Sequence, residues 1–122
     1  MTTARTADLT MLPAAVDAVL AEARDARSGR AARTLVPGAG APLKQTLLAL
    51  TAGTVLADHE SPGAATIQVL RGEVRLTSGE GPQVLDAGAL APIPPMRHGL
   101  AANDDAVVLI TVAVADTAPR ES

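Results

Sequence analysis

The sequence predicts an all-β domain, an antiparallel barrel of two facing sheets with one short helix ahead of it, and three observations support this. First, after Arg33 the chain breaks into short apolar runs separated by Pro and Gly. Turn signals fall at Pro37-Gly38, Ala52-Gly53, Ser61-Pro62-Gly63, Gly79-Glu80-Gly81, Ala87-Gly88 and Asn103-Asp104, the spacing of a sandwich or barrel. Second, Glu73-Val74-Arg75-Leu76-Thr77 alternates polar and apolar, as a strand buried on one face does. Val107 to Val114 is instead almost continuously aliphatic and needs cover on both faces. Third, helical periodicity is confined to one segment near the N-terminus.

That segment runs from Pro13 to about Ala26, where AAVDAVLAEARDA is rich in strong helix formers. Val16, Val19, Leu20 and Ala23 fall on one stripe, Pro stands near the first turn, and Gly29 marks the end. The expected place for this helix is the outside of the barrel, as a strap packed on a sheet. Residues 1–10 are small and polar and expected to fray. The chain therefore divides into a tail and helix (1–32), the barrel (33–116) and a second tail (117–122). At 122 residues, with 48% apolar and 19% charged residues, it fits one packed domain and leaves no room for a second.

Composition also narrows function. The chain has no Cys, which removes disulfides, zinc ribbons and thiol catalysis and points to the cytoplasm. The opening Met1-Thr-Thr-Ala-Arg-Thr-Ala-Asp8 is a poor secretory signal, and no run approaches the roughly 18 apolar residues of a membrane span. With a net charge of -3 and scattered Arg residues, nucleic acid is not an expected partner. Phe, Tyr and Trp are absent. A barrel interior built from Val, Leu, Ile and Ala is smooth and apolar, with no ring on which a sugar or base can stack. No Gly-rich loop opens a helix after a strand in the spacing that cradles phosphate, and no Ser-His-acid arrangement is legible.

The chemistry available rests on two histidines, His59 and His98, each where a strand reading meets a turn. The segment Gly53 to Gly72 resembles the first sequence motif of the cupins: Gly, five residues, His, one residue, His, three or four residues, Glu, six residues, Gly. Gly53, His59 and Gly72 fall in register, Ser61 stands at the second His position and Ala65 at the Glu position. The segment Gly88 to Asn103 resembles the second motif: Gly, five residues, Pro, one residue, Gly, two residues, His, three residues, Asn. Gly88 and Pro94 match, and Met96 stands where Gly is usual. The turn before His98 is one residue short, and Asn103 comes one residue late.

The resemblance implies a cupin-like jelly-roll barrel with a site at its mouth, formed by His59, Ser61, Met96 and His98. It also implies a homodimer, and the aliphatic surplus of Val107 to Val114 points the same way. In a metal-dependent cupin of the dioxygenase or isomerase kind, His59 and His98 would be ligands to iron, manganese, nickel or zinc. Such a metal generally needs three protein donors and an open position, and Ser61 and Ala65 supply none of the usual ones. Strand alternation turns Asp58, Glu60 and Gln68 to the opposite face, unless a bulge brings one inward. The first expectation is therefore a small organic ligand oriented by the two histidines. A metal-dependent enzyme and a structural or partner-binding module are the alternatives, and fold alone does not choose among them.

Overall fold

The computed structural model describes residues 9–36, 42–59 and 63–113. The turn at Pro37-Gly38, most of the turn at Ser61, and the tail 117–122 lie outside the described residues.

The helix, α1 (Leu12–Asp25), buries Ala15, Val16, Val19, Leu20 and Ala23, the stripe expected from its periodicity. Pro13 sits in the first turn, where a missing N–H removes no helical bond. The helix stops at Ala26, whose backbone is extended and whose N–H donates back to the Ala23 carbonyl at 3.2 Å. The strands are β1 (Arg30–Val36), β2 (Leu43–Leu50), β3 (Val55–His59), β4 (Ala64–Arg71), β5 (Glu73–Ser78), β6 (Gly81–Asp86), β7 (Leu90–Pro92), β8 (His98–Ala102) and β9 (Ala106–Ala113). The first strand begins at Arg30, inside the segment assigned to the tail and helix.

All strand pairs are antiparallel and form two sheets, one in the order β1-β2-β9-β4-β7 and the other β3-β8-β5-β6. Residues opposed across a ladder share a face, so the registers assign each row. Leu48, Val108 and Val69 form one row, Thr46, Ile110 and Ile67 the next, and Lys44, Val112 and Ala65 the last. These rows look between the sheets, toward Val74, Leu76, Leu85, Leu100 and Ala102 of the second sheet. The intervening residues of β2 and β9, Leu47, Ala49, Val107 and Leu109, face outward and pack under α1.

The first half of β9 is thus covered on both faces, while Leu109 to Val112 are partly exposed. The outer cover of Val107 and Leu109 is the chain's own helix, which takes up part of the surplus that pointed to a second subunit. Three exposed ion pairs border the helix: Arg24 to Asp105 at 2.9 Å, Arg33 to Glu22 at 2.9 Å and Arg71 to Asp17 at 2.7 Å. Each contributes at most about 1 kcal/mol, so they align the helix while the buried stripe holds it. Asp105 also accepts the Ala52 N–H at 2.9 Å. That bond, and after it the one from Arg24, hold its carboxyl below the usual carboxylate range.

The two ends of the barrel differ. At one end the connections are tight, and Gly53, Gly72 and Gly88 turn the chain with positive φ. At the other end lie the connection from β1 to β2, the one from β3 to β4, and residues 93–97 between β7 and β8. Inward-facing residues near the tight end are sealed: Leu50, Val69, Val74, Ala106 and Val108 are at most 1% exposed. Toward the other end Leu56, Ile110 and Val112 are only partly buried, whereas Ile67, Ala65 and His98 stay buried. Exposure of the inward-facing residues therefore rises along β9 toward the end where β8 begins.

Candidate functional site

His98 is the first residue of β8, on the same face as Leu100 and Ala102, and is 3% exposed. It is the buried polar or charged residue among those described. Its Nδ1 lies 2.9 Å from the Met96 carbonyl oxygen. A carbonyl only accepts, so Nδ1 carries the proton and donates. In the neutral ring Nε2 is then the lone-pair nitrogen, able to accept a hydrogen bond or bind a metal. A turn of two residues, Met96 to His98, thus fixes both the orientation and the tautomer of the imidazole.

His59 ends β3, and its backbone pairs directly with His98. Strict alternation does not achieve this. Leu56 pairs with Leu100 on the inner face, and counting on by twos would bring Asp58 to that face. A register shift between Leu56 and His59 sets Ala57 and Asp58 together against Gly99. This extra residue, a bulge, brings position 59 opposite His98. The side chain of His59 lies outside the description, as does Ser61.

Met96 is half-buried in the turn before β8, with its Sδ 3.4 Å from where a Cβ on Gly79 would stand. It touches the β5–β6 turn through sulfur and His98 through its carbonyl. Ala65, at the position where the motif has Glu, is on the inner face and buried, so a methyl stands where a carboxylate would. Gln68 faces outward opposite Leu109, as alternation predicts, and Arg97 is exposed.

The registers bring in polar positions that the sequence reading passed over. Ser78 pairs directly with His98 across β5 and β8, and Lys44 and Thr46 occupy the inward rows of β2 toward the open end. Counting by twos back from Leu48 and Leu50 is the sequence signal that could have found the last two. The chain's carboxylate pair is elsewhere. Glu73 and Asp86 oppose each other near the tight end, where a hydrogen bond and then repulsion from Glu73 raise the Asp86 carboxyl above its ordinary range. Among the described residues no group of three His, Cys, Asp or Glu could hold a metal ion.

No family model and no curated protein matches the chain. Solved structures do. A conserved Streptococcus pyogenes protein of unknown function is 25% identical, with 75% of this chain and 80% of that chain covered and a TM-score of 0.67. A cupin superfamily protein from Desulfitobacterium hafniense is 16% identical over 70% of this chain and 78% of that one, with a TM-score of 0.65. The fold is that of the cupins. A salicylate 1,2-dioxygenase from Pseudaminobacter salicylatoxidans is also similar, at 20% identity and a TM-score of 0.67, with 80% of this chain covered but only 32% of that enzyme. The shared fold thus serves small stand-alone cupins and part of a larger enzyme. No helix among the described residues of this cupin-fold chain is long and apolar enough to cross a membrane.

Measured against the donor set a catalytic metal needs, the described residues here fall short. Position 59 stands opposite His98, but Ala65 offers no donor, and three protein ligands are the rule. A two-imidazole set completes its shell with water and holds a divalent ion weakly.

Proposed function

We propose that this small cupin binds a small organic molecule at the open end of its barrel, oriented by His98. The observation that supports it most is the burial gradient of the interior, sealed around Val69, Val74 and Val108 and partly exposed at Ile110 and Val112. At that end stands a buried imidazole whose Nδ1 is held by the Met96 carbonyl. A ligand there would meet an aliphatic wall and a preoriented imidazole, the usual composition of a small-molecule site.

The test is a titration with a panel of small aliphatic acids, alcohols, amines and ketones, followed by backbone amide shifts. Shifts should gather at Ala65, Ser78, His98, Leu100 and Ile110. His98→Ala should weaken the best binder by up to about tenfold, the worth of one hydrogen bond. Shifts confined to the outer surface beside α1 would refute the barrel site.

The metal-dependent alternative is weaker because Ala65 and Ser61 replace donors. Purified without a His tag or added metal, the protein should carry well under one equivalent of iron, manganese, nickel or zinc by elemental mass spectrometry. Loading under excess zinc should disappear in His98→Ala. Stoichiometric metal that survives dialysis against a chelator would reverse this ranking and make Glu60 the first third ligand to mutate.

A further inference from the structure

Lys44 is exposed and sits on the inward row of β2 shared with Val112 and Ala65. Among the described residues it has no carboxylate partner, whereas Arg24, Arg33 and Arg71 are each committed to an acid that aligns the helix. The other described charges at this end are Glu80, in the β5–β6 turn, and Arg97, both exposed. Asp58 and Glu60 belong to β3 and its connection, and their side chains lie outside the described residues. Deeper than Lys44 the wall is Ile67, Ile110 and Leu48. A molecule entering here would meet an ammonium at the rim and methyl groups beyond it, with no aromatic ring in the chain to stack on.

From this arrangement we infer the chemical class of the ligand: an aliphatic carboxylate, its hydrocarbon between the sheets and its carboxylate against Lys44. The inference rests on the reading that the barrel binds a small organic molecule. His98 gives its Nδ1–H to the Met96 carbonyl, so that proton is not offered to a carboxylate. The anionic end of a ligand is therefore directed to Lys44.

Hexanoate, hexanol and hexylamine share one aliphatic chain and differ only in the head group, so a backbone-amide titration with each isolates the charge. Hexanoate should bind about fivefold more tightly than hexanol, the upper end of what an exposed ion pair contributes, and hexylamine more weakly than either. Lys44→Met should bring hexanoate down to the level of hexanol, Lys44→Arg should keep the preference, and about 0.5 M salt should narrow it. Equal binding of hexanoate and hexanol, unchanged in Lys44→Met, overturns the carboxylate assignment. If His98→Ala still weakens both, the barrel reading survives that result. If none of the three probes shifts the inward-facing residues at millimolar concentration, the barrel reading and the carboxylate assignment fall together.

Discussion

Leu20→Ala lowers the unfolding free energy by about 3 kcal/mol, within the usual range for a fully buried Leu. Leu20 is 1% exposed and lies between α1 and the sheet, in the cluster with Val19, Leu47, Ala49 and Val107. Removing its isobutyl group opens a hole that neither layer closes, because β2 and β9 are fixed from behind by the barrel core. The matched control is Leu12→Ala in the first turn of the same helix, where the side chain is 36% exposed and the loss should stay below about 1 kcal/mol. Denaturant unfolding reads both. Equal small losses would mean that α1 rests loosely on the sheet. The β9 face would then lack its cover, and the argument for a second subunit would return.

Gly72→Ala should be as damaging for a different reason. Gly72 joins β4 to β5 with a φ of +78°, and an added Cβ would overlap the Asp105 carbonyl oxygen and press on Ala106. The left-handed backbone alone costs about 1–2 kcal/mol for a residue with a Cβ. The overlap is with backbone, which cannot rotate away, and it sits where β9 starts. Gly88→Ala isolates the first term, since Gly88 has a φ of +96° and nothing within 4 Å of a built Cβ. Gly72→Ala should therefore lose at least about 2 kcal/mol in denaturant unfolding, and clearly more than Gly88→Ala. Matching losses would show that the β4–β5 corner has room.

These two variants mark what was readable without coordinates. The stripe Val16, Val19, Leu20 and Ala23 reads at helical period because burial selects it, and the run after Ala106 reads as doubly covered because Thr111 alone interrupts its aliphatic residues. Gly53, Gly72 and Gly88 were placed at turns by spacing, and their positive φ values agree. The first strand was the least legible. Arg30-Ala-Ala-Arg-Thr-Leu-Val36 has two charges and only weak alternation, since an edge strand buries little of either face.

At the site, His98 was found by its motif. The bulge at Ala57 and Asp58 was not, because a register shift leaves no mark in a period-2 pattern that is only five residues long. Lys44 escaped for a related reason. At a strand end the side chain reaches solvent whichever face it starts from, so polarity gives no hint, and its side follows from counting back from Leu48 or from the ladder with Val112. The tautomer of His98 depends on a carbonyl, and backbone acceptors have no signature in a sequence.

The position of β9 affects how this chain comes to be folded. The last of the described strands is the middle of the five-stranded sheet, flanked by β2 on one side and β4 on the other. During synthesis β2 has only β1 beside it and β4 only the short β7, and α1 has only part of its seat, until residues 106–113 arrive. Closing those pairings joins segments some sixty residues apart in β2 and some forty in β4, a high contact order that places folding on the slow side for a domain of this size. Until then Leu47, Leu48 and Ile67 lie on strands with an open edge, so the emerging chain is most exposed to aggregation just before residues 106–113 appear.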